Sequence, residues 1–204
     1  MRPKLKICGM RFPTNIEEVI LLKPDYLGFI FYEQSKRYIA DLSPQFLTAL
    51  QGVEKVGVFV NDSIDRIKLA VDSYDLQAIQ LHGDESPAFI KSLKDIDVCL
   101  IKAFGISTNF DWSQLDAYEA LVDYFLFDTK SENYGGTGKG FDWSLLKNYT
   151  LDKPFFLSGG LSVENIDEAL SLDDHRLHAI DVNSKFEKSP GLKDLSLLQS
   201  VFCR

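Results

Sequence analysis

Eight short runs of apolar, β-branched or aromatic residues, separated by stretches with helical spacing, constrain the fold of this chain more than any other feature. The runs cover residues 5–8, 26–31, 56–60, 78–81, 98–103, 124–128, 155–158 and 179–182. They are near-continuous rather than alternating, which is how strands covered on both faces read. Between them, residues 14–22 open with Thr14, a capping candidate followed three positions on by Glu17. Residues 63–71 place Ile64, Ile67, Lys68 and Val71 at helical spacing. Residues 162–170 begin with Ser162, a second capping candidate, and put Val163, Ile166, Ala169 and Leu170 on one face. The stretches 43–50, 86–93, 112–121, 143–147 and 192–202 are compatible with helix.

Strands alternating with helices argue for a parallel sheet. Eight such units in 204 residues suit a closed barrel, near the lower end of the usual barrel length. The expected fold is therefore α/β, a single (β/α)8 TIM barrel over residues 1–204. A six-stranded open sheet is the structural alternative.

Composition narrows the functional classes. Hydrophobic residues make up 45% and charged residues 25%, as in ordinary globular proteins. No apolar run approaches the roughly 20 residues that cross a bilayer. The start, Met1-Arg2-Pro3-Lys4, leads straight into an apolar run without the h-region of a signal peptide, so the expected location is cytoplasmic. The three cysteines, Cys8, Cys99 and Cys203, show no CxxC spacing and form neither a disulfide framework nor a zinc cluster. A net charge of −8 argues against a broad nucleic-acid surface. An anionic substrate would then need a few specific cations or backbone N–H groups.

In a barrel of this kind active sites lie where the strands end. Those ends read Lys6-Ile7-Cys8-Gly9-Met10, Phe31-Tyr32-Glu33-Gln34-Ser35-Lys36-Arg37, Phe59-Val60-Asn61, Gln80-Leu81-His82-Gly83, Ile101-Lys102-Ala103-Phe104, Phe127-Asp128-Thr129-Lys130, Leu157-Ser158-Gly159-Gly160-Leu161 and Asp181-Val182-Asn183-Ser184. Taken alone, Cys8 reads as a small buried hydrophobe, Asp128 as a turn residue and Arg37 as a surface charge. The glycine-rich stretch at 135–140 lacks the GxxxxGK[ST] spacing of a nucleotide P-loop, since Gly140 follows Lys139.

With these residues in order, the chain resembles the phosphoribosylanthranilate isomerase family. The resemblance rests on KICGM at 6–10, FYEQSKRYI at 31–39, GVFVN at 57–61, QLHGDE at 80–85, FDTKSENYGGTGKGFDW at 127–143, LSGGL at 157–161 and DVNS at 181–184. It implies the Amadori rearrangement of N-(5'-phosphoribosyl)anthranilate in tryptophan biosynthesis. That is acid–base chemistry with a small-molecule substrate, no cofactor and no metal. The resemblance maps the general base onto Cys8 and the general acid onto Asp128.

A free thiol is only a few per cent ionised at pH 7, yet a thiolate near neutrality suits a carbon acid. An ordinary aspartate is almost wholly ionised there, so an acid role for Asp128 calls for burial or a nearby negative charge. Phosphate in barrels is held after strands seven and eight by backbone N–H groups and a helix N-terminus. Gly159, Gly160, Asp181, Asn183 and Ser184 occupy that place. Arg37 is the candidate for the anthranilate carboxylate. Gln80 and His82 are expected to line the pocket, and Gly136 and Gly138 to shape the loop over the acid. Where the family has a glycine after strand eight, Lys185 stands here, either in a position that needs positive φ or as an added cation.

Cys99 and Cys203 read as structural, and His175 and His178 as surface residues. The expected assembly is a monomer, with a homodimer as the alternative. Indole-glycerol-phosphate synthase would need a lysine acid, and a metal-dependent epimerase a His/Asp ligand set at the strand ends. A non-enzymatic anion-binding barrel would have no reason to keep both Cys8 and Asp128.

Overall fold

The structure, a computed structural model, describes residues 2–40, 42–130 and 141–202. Eight parallel strands follow one another around a closed barrel: β1 (Lys4–Ile7), β2 (Tyr26–Ile30), β3 (Glu54–Phe59), β4 (Ala78–Leu81), β5 (Cys99–Ile106), β6 (Tyr124–Thr129), β7 (Phe155–Leu157) and β8 (Leu177–Val182). Closure is made by β1 on β8, with Lys4 opposite Ala179 and Lys6 opposite Asp181. That pairing rules out the open six-stranded sheet.

The pleat sorts side chains onto two faces. Tyr26, Val56, Ala78, Ile101, Leu126, Phe156 and Ala179 form the apolar filling of the barrel. Their neighbours, among them Ile7, Leu27, Ile79, Phe125 and Ile180, pack outward against helix residues such as Ile16, Val19, Ile67 and Leu198. Both faces of each strand are thus covered, which is why the runs read as continuous.

The helices are α1 (Pro13–Ile20), α2 (Pro44–Ala49), α3 (Ile64–Tyr74), α4 (Pro87–Lys91), α5 (Asp116–Glu119), α6 (Ile166–Leu170) and α7 (Leu195–Phe202). Ser43, Ser63 and Ser86 cap α2, α3 and α4 by accepting from Phe46, Arg66 and Phe89 N–H groups. The Thr14–Glu17 capping box does not form. Pro13 takes the first helical turn, where its missing N–H costs nothing, and Phe12 precedes it without a side-chain cap. Ser162 does cap the turn that leads into α6, although the regular helix starts only at Ile166. Its Oγ accepts from Glu164 N–H at 3.3 Å and its carbonyl from Ile166 N–H at 3.0 Å. Trp112–Leu115 and Trp143–Asn148 are 3₁₀ turns.

The C-terminal stretch is not one helix. Leu192–Lys193 (β10) pairs antiparallel with Glu187–Ser189 (β9) in a hairpin, and α7 begins after Asp194, whose carboxylate accepts from Ser196 N–H at 2.9 Å. Among the described residues no helix is long and apolar enough to cross a membrane.

His175 is exposed as expected, whereas His178 is only partly exposed. It lies on β8 at the N-terminal mouth of the barrel, 2.9 Å from Tyr26 Oη and with its ring 4.3 Å from that of Tyr124. Cys99 begins β5 at that same end and is partly exposed.

Candidate active site

A cavity of about 560 Å³ opens at the C-terminal ends of the strands. Cys8, Arg37, Gln80, His82, Asp128, Gly159, Gly160, Asp181, Asn183 and Ser184 all line it, so residues scattered over the chain converge on one space. Gly136, Gly138 and Cys203 lie outside the described residues.

Cys8 follows β1 directly and is buried; its N–H donates to Val182 O at 2.9 Å, continuing the β1–β8 ladder by one residue. Gly28 on β2 leaves room for the thiol, since a Cβ there would come within 2.7 Å of Cys8 Sγ. Burial holds the Cys8 thiol above its ordinary range; Lys6 and Lys193 only partly offset it, and Asp181 adds to it. Lys6 was not expected as part of the site. It is wholly buried and its ammonium donates to Asp181 Oδ2 at 2.7 Å.

Asp128 stands near the end of β6, across the cavity from Cys8. Its Oδ1 accepts from Thr129 N–H at 2.7 Å, and its Oδ2 lies 3.5 Å from His82 Nε2. Its side chain is 23% exposed, so burial, one of the two alternatives for keeping this carboxyl an acid, is only partial. Gln80 Nε2 lies 2.7 Å from His82 Nδ1. With Gln80 donating there, the imidazole N–H is on Nε2 and turned to Asp128. Gly159 is required by both geometry and space: its φ is +88°, and a Cβ would reach 2.8 Å from Asp128 Oδ1.

Arg37 departs from the expected arrangement. Its Nε and Nη2 grip Glu187 in a bidentate pair at 2.7–3.0 Å, so the fork reserved for a substrate carboxylate is largely occupied. Glu187 also accepts from Lys193 at 2.8 Å, and Lys193 donates to Asn183 Oδ1 at 2.8 Å. The guanidinium is thereby fixed at the rim with Nη1 lacking a hydrogen-bond partner among the described residues.

The phosphate candidates are backbone groups. Gly159 and Gly160 both take positive φ, +88° and +69°, a conformation that glycine adopts without steric cost. The N–H groups of Gly159, Gly160 and Ser184 have no hydrogen-bond partner among the described residues. A regular helix N-terminus does not follow directly, contrary to expectation. Asn165 instead ties the turn, donating to Gly160 O and accepting from Ser162 N–H. After β8 the chain enters the 3₁₀ turn Ser184–Phe186. Lys185 is exposed, has no positive φ and does not line the cavity, so neither reading of the missing glycine holds.

Gln80 Oε1, Thr129 Oγ1 and Asp181 Oδ1 are buried without a hydrogen-bond partner among the described residues, and all three residues line the cavity. Buried polar atoms left this way are the mark of a polar ligand site. No group of three His, Cys, Asp or Glu that could hold a metal occurs among the described residues.

A family model described as N-(5'-phosphoribosyl)anthranilate (PRA) isomerase matches residues 5–204. The chain belongs to the N-(5'-phosphoribosyl)anthranilate isomerase family. The N-(5'-phosphoribosyl)anthranilate isomerase of Parabacteroides distasonis is 46% identical over 200 residues, covering 96% of this chain and 90% of that protein. The phosphoribosyl anthranilate isomerase of Thermotoga maritima superposes with a TM-score of 0.84 at 35% identity, covering 98% of this chain and 96% of its own. A further solved phosphoribosyl anthranilate isomerase, in complex with reduced 1-(o-carboxyphenylamino)-1-deoxyribulose 5-phosphate, superposes with a TM-score of 0.81 at 32% identity over the same shares. As a member of this family the chain is an isomerase, and its cavity lies at the strand ends, where such a barrel does its chemistry.

Sequence reasoning missed Lys6, Lys193, Glu187 and Lys102. The first shares an interior row with Cys8 and could have been found by counting two residues back along the strand. Lys102 stands in the strand end Ile101-Lys102-Ala103-Phe104 and carries that same signal, whereas Lys193 and Glu187 carry none, because their partners are brought in by the fold.

Proposed function

We propose that this chain catalyses the Amadori rearrangement of N-(5'-phosphoribosyl)anthranilate to 1-(2-carboxyphenylamino)-1-deoxyribulose 5-phosphate, the step after phosphoribosyl transfer in tryptophan biosynthesis. Asp128 serves as general acid and Cys8 as general base. The observation that carries the reading is that both groups face one cavity that also presents the unpaired N–H groups of Gly159, Gly160 and Ser184.

Asp128 gives its proton to the furanose ring oxygen, the C1–O bond breaks, and the nitrogen lone pair forms a protonated C=N bond. The Cys8 thiolate then takes the C2 proton, and the C–H electrons pass through C1 to neutralise the nitrogen, giving an enolamine. Transfer of the enol proton to C1 leaves the ketone. His82 Nε2 orients Asp128, and the backbone N–H groups after β7 and β8 hold the phosphate. Asp181 and Gln80 offer acceptor oxygens to the sugar hydroxyls. Arg37 meets the anthranilate carboxylate through Nη1 rather than through its Glu187-bound edge. With this reading goes a monomer acting in the cytoplasm.

The test is the fluorescence decay of phosphoribosylanthranilate with the unaltered protein, Cys8→Ser and Asp128→Asn, each with and without EDTA. Fast turnover that survives EDTA and falls by about 10²–10⁴ in each variant supports the assignment. Substrate binding without turnover by the unaltered protein would overturn it.

A further inference from the structure

Lys6 is a buried cation at the floor of the cavity. Its side chain has no exposed surface, and its ammonium is ion-paired with Asp181 Oδ2 at 2.7 Å. Lys6 and Cys8 are two residues apart on β1 and so lie on the same interior row, roughly 6.6 Å apart along the strand. Asp181 is the register partner of Lys6 on β8, and its second oxygen, Oδ1, is buried without a hydrogen-bond partner among the described residues. Here a single ammonium is shared by two acids, the carboxyl beside it and the thiol above it.

We propose that Lys6 is a positioning residue for the isomerisation, its buried ammonium favouring, against the cost of burial, the anionic form of Cys8 that accepts the substrate proton. This rests on Cys8 as the base. The charged groups around the sulfur are Lys6 from β1, Asp181 from β8 and Lys193 from β10, with His82 and Asp128 across the cavity. The neighbour on β2 is Gly28, which brings no charge. Burial opposes the charged form of Lys6, yet Asp181 and Cys8 outweigh it and hold the ammonium above its ordinary range. The two acids compete for it, so thiol and carboxyl titrate as a coupled pair. Removing the ammonium disfavours the thiolate, and removing Asp181 frees the ammonium for the sulfur.

The experiment measures the pH dependence of Cys8 alkylation by iodoacetamide, with Cys99→Ser and Cys203→Ser as background, in Lys6→Met, Asp181→Asn and the double variant. The alkylation midpoint should rise by about one pH unit or more in Lys6→Met, slowing alkylation near neutrality about tenfold. It should fall in Asp181→Asn, and return upward in the double variant. Should Lys6→Met not fold, the step from Asp181→Asn to the charge-free double variant reads the same effect. The rising limb of kcat/KM should follow the alkylation midpoint. Midpoints that coincide in all proteins would overturn the proposal. Full turnover by Cys8→Ser would instead overturn the base assignment, leaving the alkylation shifts to report on Lys6 separately.

Discussion

Arg37 and Glu187, 150 residues apart in the chain, are bound to each other through two guanidinium nitrogens and both carboxylate oxygens. Burial opposes the Glu187 charge, but Arg37 and Lys193 outweigh it and hold this carboxyl below its usual range. The arginine proposed to meet the substrate carboxylate is therefore aimed from the far side of the barrel seam, and its orientation belongs to the hairpin of β9 and β10.

Glu187→Gln should release that orientation. The expected result is a KM raised about tenfold with kcat changed by less than about threefold, since binding is lost and chemistry is not. Steady-state kinetics on the folded variant decide it, and an unchanged KM would place Arg37 outside the carboxylate site.

Gly28→Ala should damage catalysis more than folding. The added methyl would come within 2.7 Å of Cys8 Sγ and 3.0 Å of Cys8 Cα, so the thiol must shift. A displacement near 1 Å costs about 10² in rate, whereas overpacking of this size costs about 1–3 kcal/mol. A kcat within twofold of the unaltered protein would show that the thiol is not held to that position.

His178 gives the pH dependence of stability a definite sign. Burial, with Lys4 adding to it, lowers this imidazole to about 4, against about 6.5 in an unfolded chain. The unfolded state therefore takes up the proton first as pH falls. The stability His178 contributes is complete above about 6.5 and is lost as pH falls through about 4. His178→Phe should flatten the fall in urea midpoint between those values, and parallel curves for the two proteins would count against it.

Lys102→Met should destabilise the loop that carries His82. Lys102 Nζ donates to Gly83 O at 2.7 Å and to Glu85 Oε2 at 3.0 Å, and Glu85 in turn accepts from Asn61 and Gly83 N–H groups. Removing one partner of a buried pair costs about 3–5 kcal/mol. Urea denaturation should show a loss of that order, and a loss below about 1 kcal/mol would mean the pair is relieved by water.

The parts of the site that were legible in the sequence are those marked by strand ends. Cys8, His82, Asp128, Gly159 and Asn183 each stop an apolar run, and in a barrel every strand end points to the same mouth. Ser43, Ser63 and Ser86 were legible as helix starts because a cap needs only its own N–H groups three residues on. Thr14 misled for the same reason: a local pattern was present, but Pro13 took the first helical turn and left no N–H group there to cap. Lys193 read as part of a helix because nothing in its own segment shows that Glu187 and Asn183 wait on either side.

By itself the sequence determined the alternation of strand and helix, the order of the strands and the residues that end them, since these depend on periodicities of two and about 3.6 along the chain. Only the tertiary structure decided which charges meet. Lys6 finds Asp181 across 175 residues and Arg37 finds Glu187 across 150 because closing β1 onto β8 brings their elements together. A buried charge must have a partner, but burial exists only once the barrel closes, and so the choice of partner is written in the closure rather than in either segment.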